Sequence, residues 1–193
     1  MIGDLSWGQS KRESSISASD KLWRKLGMID SSYQPLTVSI HRKDAIHKIF
    51  DTHGTNAIYI TNTGYISRAV YNEYPDNENI FYMQGSMGLA PCIGLGIALN
   101  TKKPVVVLSG DGALLMHLGI THTIRDANLA NLFVYILDNG CHESVGGYPC
   151  SPLDNNLVGI TAIIKIFNDG KTKRVGMGCI ENTKKIKKEL RVD

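Results

Sequence analysis

Two short acidic turns, each following an apolar run, are the feature that most constrains the fold of this chain. The run 105–108 leads into Gly-Asp-Gly at 110–112, and the run 132–137 leads into Asp-Asn-Gly at 138–140. Both runs are apolar and contain β-branched residues, which is typical of buried strands. The chain is therefore expected to contain two buried strands, each ending in a polar turn.

The segment between the two turns predicts a helix. Apolar residues recur there at helical spacing, at Leu114, Leu115, Leu118 and Ile124. A strand, a helix and a second strand in succession place the two strands parallel in one sheet. Ligands of open parallel sheets bind beyond the carboxyl ends of the strands. Asp111 and Asn139 follow those ends, so we expect them to face one crevice.

The pair Asp111 and Asn139 predicts a particular chemistry for that crevice. A carboxylate and an amide oxygen are hard donors that suit Mg²⁺ or Ca²⁺, particularly when a phosphate completes the coordination shell. The alternative is that both are ordinary turn residues, because Asp, Asn and Gly all favour turns. The occurrence of both turns, with 25 residues between them, favours the metal site.

Composition and charge indicate one ordinary globular domain. The chain has 193 residues, of which 42% are hydrophobic, and its 19 glycines suit a fold with many tight strand–helix turns. The net charge of +3 is too small to argue for nucleic acid. The basic runs 171–174 and 184–188 are expected to form a solvated helix face and tail, with phosphate or nucleic-acid binding as the alternative.

Cysteine usage and hydropathy predict the compartment. The four cysteines show no paired Cys-x-x-Cys spacing, which disfavours zinc and iron–sulfur sites and indicates reduced thiols. Residues 1–20 are polar and serine-rich, without the apolar core of a signal peptide, and no stretch is long enough to span a bilayer. We therefore expect a soluble cytoplasmic protein with no membrane partner.

The periodicity divides the chain into a polar N-terminal extension, 1–37, and one α/β domain, 38–193. Helix 87–99 contains several glycines, each costing roughly 1 kcal/mol relative to alanine, so close packing against a backbone or ligand is expected, with loose packing as the alternative. The predicted strands or extended segments are 36–40, 57–61, 80–83, 105–108, 132–137 and 160–167, and the other helices run through Ala45 and Ile49, over 66–74 and over 182–190.

Four sequence features together resemble those of a known family. Gly-Asp-Gly at 110–112 followed by Asn139 is similar to the metal–diphosphate signature of thiamine diphosphate enzymes. With Gly-Ser-Met-Gly at 85–88, the stretch 138–149 and the segment 63–68, the chain most resembles phosphonopyruvate decarboxylases and their sulfopyruvate relatives.

This likeness covers roughly residues 38–153 and resumes near Ile160. It implies a three-layer α/β/α fold with a mainly parallel sheet, and it assigns residues 38–193 to the diphosphate-binding domain of such enzymes. Family members carry a further helix and strand before the final segment, whereas residues 151–159 are too few to hold them.

The resemblance implies thiamine diphosphate and Mg²⁺ as cofactors. It assigns the metal ligands to Asp111, the side-chain oxygen of Asn139 and the backbone carbonyl of Cys141. The turn at Thr63 and Gly64 is a second expected diphosphate contact, with an ordinary helix cap as its alternative. Further cofactor contacts are expected at the start of the helix after the first turn, from Gly110, Gly112 and Ala113.

Gly85, Ser86 and Met87 are assigned to the aminopyrimidine end of the cofactor by the same resemblance. The carbonyl of Gly85 would accept from the amino group, and the N–H of Met87 would donate to a ring nitrogen. The Met87 side chain would pack under the cofactor, which suits a flexible and polarizable thioether. An ordinary core methionine is the alternative for Met87.

His142 and Glu143 follow the second turn directly and are expected to be the catalytic residues on the substrate side. A protonated histidine suits a phosphonate group or a proton shuttle. The alternative is that His142 only makes a structural hydrogen bond from its loop. Arg68 is a weaker candidate for the phosphonate, because arginines on helices usually face solvent.

The activity implied by the resemblance is decarboxylation of phosphonopyruvate to phosphonoacetaldehyde and CO₂, with sulfopyruvate as the alternative substrate. In this class a glutamate on a separate pyrimidine-binding domain activates the cofactor, and no glutamate of this chain lies in a segment similar to that domain. A partner subunit is therefore expected to supply it. A non-catalytic cofactor-binding or assembly subunit is the alternative function.

Overall fold

The computed structural model describes residues 39–154 and 156–190, and seven strands lie within them. The first four strands in chain order alternate with helices. The strands are β1 (Ile58–Thr61), β2 (Ile80–Tyr82), β3 (Val105–Gly110), β4 (Leu132–Asp138), β5 (Cys141–His142), β6 (Tyr148–Pro149) and β7 (Ala162–Lys165). The main sheet has the order β2-β1-β3-β4-β7 and is parallel throughout, while β5 and β6 form a small antiparallel hairpin.

Helices cover both faces of the main sheet, which confirms the predicted three-layer architecture. The helices are α1 (Arg42–His53), α2 (Tyr65–Glu73), α3 (Ala90–Ala98), α4 (Asp111–Met116), α5 (Ile120–Ala127) and α6 (Cys179–Leu190). Alternate residues of β3 enter opposite layers, because side chains of a strand alternate between faces. Val106 packs with α1 and α2, whereas Val107 packs with α3, α4 and α5. Two buried faces explain the continuous apolar runs in the sequence.

Helix α3 is shorter than the helix predicted over 87–99, and the prediction was wrong for its first turn. The chain from Ser86 to Leu89 forms a tight turn instead, with Ser86 at φ 50° and Gly88 at φ 93°. Pro91 then occupies the first turn of α3, where its missing N–H costs no hydrogen bond. Among the helix glycines, Gly94 packs closely against the Val107 side chain instead of the predicted backbone or ligand, since a Cβ there would overlap Val107. Gly96 borders open space.

The single helix predicted between β3 and β4 is also wrong, because the structure has two. Helix α4 ends at Met116, and His117 leaves the helical conformation at φ −137° and ψ 43°. The chain then restarts as α5 at Ile120 after Gly119. The spacing of apolar residues continues across the break, so periodicity alone could not reveal it.

The C-terminal part of the described chain completes the sheet. Strand β7 lies within the segment 160–167 predicted as a strand and pairs with β4, from Tyr135 opposite Ala162 to Asp138 opposite Lys165. Ile40 bridges to Ile166, while residues 36–38 of the predicted segment 36–40 and the extension 1–37 lie outside the described residues. No helix in the described part of the chain is long and apolar enough to cross a bilayer.

Helix α6 begins at Cys179, three residues before its predicted start, and holds the edge strand β2 through one side chain. The buried Asn182 accepts a hydrogen bond from the Tyr82 N–H at 3.1 Å and donates one to the Tyr82 carbonyl at 2.7 Å. Its amide therefore satisfies both backbone groups on the open side of an edge strand, as a neighbouring strand would.

Replacing Asn182 with alanine should lower the free energy of unfolding by about 1–3 kcal/mol, because two buried backbone groups lose their partners. Urea denaturation of the variant measures this loss. Thr183→Ala is the matched control on the exposed side of the same helix and should change stability by less than about 0.5 kcal/mol. Equal effects for the two substitutions would contradict this role of Asn182.

Candidate functional site

A pocket of about 390 Å³ opens at the carboxyl edge of the sheet. It collects residues from three strand ends, the β5–β6 hairpin and α1. Gly85 and Ser86, predicted to contact the cofactor, are exposed and do not line it. The predicted site residues that do line it are Thr63, Gly64, Met87, Gly110, Asp111, Gly112, Ala113, Asn139, Cys141, His142 and Glu143.

The Asp111 carboxylate is a buried charged group of the pocket with one unpartnered oxygen. Strand β3 runs directly into α4, so Asp111 is both the residue after the strand and the first of the helix. The residue is 3% exposed, and Oδ2 has no hydrogen-bond partner among the described residues. Burial, and then the charge of Asp138, raise the pKa of the Asp111 carboxyl above its usual range. The predicted role of Asp111 as a metal ligand stays a prediction.

The neighbouring Asp138, in contrast, is fully compensated. Its Oδ2 forms an ion pair with Lys165 of β7, and its Oδ1 accepts the Gly140 N–H at 2.9 Å. Asp138 therefore shapes the turn and ties it to the last strand. It leaves Asp111 as the carboxylate of this pair with an available oxygen.

Asn139 is held in one orientation by its amide nitrogen. Nδ2 donates to Asn168 Oδ1 at 2.8 Å and to Glu143 Oε2 at 3.1 Å, so the amide oxygen must point the other way. Oδ1 accepts a long hydrogen bond of 3.3 Å from the Cys141 N–H and retains a lone pair. Asn168 is 29 residues away in sequence, and no motif marked it.

The Cys141 thiol does not compete for a metal in the pocket. Its Sγ donates to Asn168 Oδ1 at 3.3 Å, and burial raises the pKa of the thiol. The neutral thiol is a poor partner for a hard cation. The predicted ligand, the backbone carbonyl of Cys141, belongs to a residue that lines the same pocket as Asp111 and Asn139.

The Glu143 carboxylate already has partners on both oxygens. Oε2 accepts from Asn139 and forms an ion pair with Arg42 of α1, while Oε1 accepts the Gly170 N–H at 2.8 Å. The Arg42 side chain is 3% exposed and that of Glu143 14%. In this structure Glu143 joins the second turn to α1 and to the chain after β7. Its predicted catalytic role stays a prediction.

Replacing Glu143 with glutamine should lower the free energy of unfolding by about 1–3 kcal/mol, because a buried guanidinium then lacks a charged partner. Chemical denaturation measures the change. Glu73→Gln is the control, since Glu73 pairs with the more exposed Lys43 at 3.0 Å, and it should cost less than about 1 kcal/mol. If both substitutions lower the free energy of unfolding equally, the ion pair of Glu143 with Arg42 does not stabilise the fold more than an exposed pair does.

His142 lies over the start of α4. A Cβ at Gly112 would lie 2.5 Å from His142 Cε1 and 2.7 Å from Cys150 Sγ, so only glycine allows the hairpin to approach this closely. His142 lines the pocket beside Asp111. The position fits the predicted substrate-side role, which remains a prediction.

The segment predicted to hold the pyrimidine is tied to the neighbouring turn at one end and exposed at the other. The Gly88 N–H donates to Asn62 Oδ1 at 3.1 Å, which links the turn after β2 to the turn after β1. Met87 lines the pocket, while Gly85 and Ser86 are exposed beside it. A Cβ at Gly85 would meet nothing within 4 Å, so this stretch is open to a ligand or a partner.

Helix α2 points its amino end at the pocket without a side-chain cap. Its N-cap is Gly64 at φ 99°, so Thr63 does not cap the helix as the alternative interpretation required. The first turn contains no acidic residue. Free N–H groups at the start of a helix bind anions, and phosphate is the usual case.

The sequence profile described as thiamine pyrophosphate enzyme, C-terminal TPP binding domain, matches residues 59–164. The chain belongs to this family. The match begins in β1 and ends in β7, and so covers every strand of the main sheet. The chain thus contains a thiamine pyrophosphate binding domain, which confirms the resemblance based on its motifs.

Curated relatives fall into two activities. The chain is 45% identical over 105 residues to the sulfopyruvate decarboxylase subunit beta of Methanocaldococcus jannaschii, covering 54% of this chain and 55% of that protein. It is 46% identical over 92 residues to the phosphonopyruvate decarboxylase of Streptomyces viridochromogenes, covering 48% and 23%. This chain therefore spans about half the length of the first and under a quarter of the second.

A solved structure supports the fold. It is a candidate thiamin diphosphate-dependent enzyme isolated from Mycobacterium smegmatis, with a TM-score of 0.51 and 17% sequence identity. The superposition covers 70% of this chain and 31% of that one. The common architecture agrees with the three-layer α/β/α arrangement described above.

Proposed function

We propose that this chain is the diphosphate-binding part of a thiamine diphosphate- and Mg²⁺-dependent decarboxylase that acts on a 3-substituted pyruvate. The observation that carries the proposal is the buried carboxylate of Asp111, whose Oδ2 lacks a partner among the described residues. Asp111 lines the same pocket as Asn139, whose amide is held in one orientation. Membership of the family supports thiamine diphosphate as the cofactor, and the unpartnered carboxylate supports a bound metal ion.

The residues of the pocket fit the proposed cofactor. Asp111, the Oδ1 of Asn139 and the carbonyl of Cys141 would bind Mg²⁺ as hard oxygen donors. The amides at the start of α2 would receive phosphate oxygens, with Gly110, Gly112 and Ala113 alongside. No group of three or more His, Cys, Asp or Glu side chains suited to a metal occurs in 39–154 and 156–190, so such a site draws on amide and backbone oxygens.

Thiamine diphosphate, when bound, supplies the electron sink that accepts the bonding electrons as CO₂ leaves a 2-oxoacid. The residues of the chain itself would position the cofactor and the substrate. Met87 would support the cofactor from below, and His142 would hold or move a proton on the substrate side. Glu143 would keep the metal-binding turn and Arg42 in place.

The substrate we propose carries a second acidic group at C3 of pyruvate. Phosphonopyruvate is proposed because the motifs of the chain resemble those of phosphonopyruvate decarboxylases. Sulfopyruvate is at least equally supported, since relatives from Methanocaldococcus and Methanothermobacter are sulfopyruvate decarboxylase beta subunits at 45% and 41% identity. Phosphonate and sulfonate make similar demands on anion donors.

We also propose that a partner subunit supplies the activating glutamate from a pyrimidine-binding domain. The description of the archaeal relatives as beta subunits supports this view. The exposed Gly85 and Ser86 would then lie near the partner. We further propose that residues 38–193 form one domain, and that the protein works in the cytoplasm, where its free cysteines would stay reduced.

The test is CO₂ release by the chain assembled with its pyrimidine-binding partner, thiamine diphosphate and Mg²⁺. We expect turnover of sulfopyruvate or phosphonopyruvate and much slower turnover of pyruvate. No CO₂ from any 3-substituted pyruvate would reject the proposal. If Asp111→Ala leaves the partner's activity unchanged, the chain is an assembly subunit instead.

A further inference from the structure

Three arginines line the pocket, and one of them is already neutralised. Arg42 pairs with Glu143, and both are largely buried. Arg68 and Arg174 line the same pocket, and neither has a carboxylate within 4 Å among residues 39–154 and 156–190. These two side chains therefore bring positive charge to the pocket that the described residues leave unpaired.

The geometry of α2 explains why the Arg68 guanidinium lies at the pocket. Long side chains on a helix point back toward its amino end, so Arg68 lies over Tyr65 one turn earlier. Its guanidinium carbon is 5.0 Å from the centre of the Tyr65 ring. The same ring lies 5.6 Å from the guanidinium carbon of Arg42.

This stack limits the freedom of Arg68 before any ligand binds. Glu143 holds Arg42, Arg42 lies against the Tyr65 ring, and the ring supports Arg68 through a cation–π contact. A guanidinium that is held in advance loses less conformational entropy when it binds an oxyanion.

The charges of the pocket match a diphosphate. With Arg42 and Glu143 cancelling, Arg68 and the exposed Arg174 share the pocket with one unpaired carboxylate, Asp111. A divalent cation on Asp111 would leave a net charge of about +3, and a terminal diphosphate carries about −3, since a single phosphate monoester already carries about −2 near neutral pH.

We propose that Arg68, with a contribution from Arg174 of the same pocket, binds the terminal phosphate of thiamine diphosphate. This inference rests on the proposed function and adds to it a charged phosphate-binding residue outside the metal-binding turns. The planar guanidinium can contact two phosphate oxygens at once, next to the N–H groups of the uncapped amino end of α2. Arg68 thus has a role on the cofactor instead of on the substrate's phosphonate or sulfonate.

Titration calorimetry with Mg²⁺ and either thiamine diphosphate or thiamine monophosphate tests this assignment on the whole chain. Arg68→Met should weaken binding of the diphosphate by about 10- to 100-fold, the range expected for a charged hydrogen-bonded contact. Binding of the monophosphate, which lacks the terminal phosphate, should change far less. The affinity of Arg68→Lys for the diphosphate should lie between those of the wild type and of Arg68→Met, because lysine keeps the charge but loses the planar fork.

Arg125→Met is the matched control, because Arg125 is half-exposed and pairs with Asp126 away from the pocket. The inference is overturned if Arg68→Met binds the diphosphate as tightly as Arg125→Met does, or if it weakens both thiamine esters equally. A raised KM for the 2-oxoacid with unchanged cofactor affinity would assign Arg68 to the substrate and equally overturn it. If the wild-type chain, alone and with its partner, binds no diphosphate, the proposed function itself fails.

Discussion

Replacing Asp111 with asparagine should abolish Mg²⁺-dependent binding of thiamine diphosphate. We expect the dissociation constant to rise by more than about 100-fold, since even the groups that only orient metal ligands are worth about 10- to 100-fold. The amide keeps the shape of the side chain but removes the one charge of the proposed metal site. Isothermal titration of the cofactor in the presence of Mg²⁺ measures the loss.

The same substitution should stabilise the ligand-free chain by about 1 kcal/mol at neutral pH, because it removes a buried charge that faces Asp138. The raised pKa of Asp111 determines how the stability of the ligand-free chain changes with pH. A carboxyl whose pKa is higher in the folded state contributes its full stability below the ordinary value of 3.8, and that contribution is lost as pH rises through the raised pKa. The advantage of the asparagine variant should therefore grow with pH over this window.

Asp126→Asn is the control for both measurements, because Asp126 is exposed and pairs with Arg125 outside the pocket. It should leave cofactor affinity and stability nearly unchanged. Cofactor binding by Asp111→Asn at the wild-type affinity would contradict the metal site. Equal stability of the variant and the wild type from acid to neutral pH would contradict the buried, unpaired state of Asp111.

Replacing Gly88 with alanine should lower the free energy of unfolding by about 2–6 kcal/mol. The residue has φ 93°, which costs a side chain about 1–3 kcal/mol. An added Cβ would also lie 2.5 Å from the backbone carbonyl oxygen of Ala113 and 2.6 Å from His117 Cδ2, and such overpacking costs about 1–3 kcal/mol more. Thermal or urea unfolding measures the sum.

Gly54→Ala separates the two costs. Gly54 has φ 74°, but a Cβ there would meet nothing within 4 Å, so alanine at this position pays for backbone strain alone. We expect Gly88→Ala to exceed Gly54→Ala by about 1–3 kcal/mol. It should also weaken cofactor binding, because Gly88 fixes the turn that carries Met87. Equal destabilisation by the two variants would show that the turn after β2 has room to adjust.

The sequence predicted the sheet and most of the pocket because both depend on local patterns. A parallel sheet buried on both faces produces continuous apolar runs such as 105–108, and the turns that end these runs must lie at its carboxyl edge. Asp111 and Asn139 could therefore be placed in one crevice before any coordinates were known. The family resemblance added Thr63, Gly64 and Met87.

Other residues of the pocket could not be predicted, because they arrive from distant parts of the chain. Arg42 and Glu143 are separated by 101 positions, and their pairing depends on how α1 packs on the sheet. Asn168 orients Asn139 from beyond β7, in a segment where the family likeness had weakened. The break at His117 was missed for the opposite reason, since apolar spacing continued through it.

The most direct measurement of the central claim is a crystal structure of the chain with thiamine diphosphate, in which Mn²⁺ replaces Mg²⁺ and is located by its anomalous scattering. We predict one Mn²⁺ bound by the Asp111 carboxylate, the Asn139 amide oxygen and the Cys141 carbonyl, with two diphosphate oxygens and one water completing the octahedral shell. A cofactor bound with Mn²⁺ elsewhere, or with the Asp111 carboxylate turned away from the ion, would contradict this account.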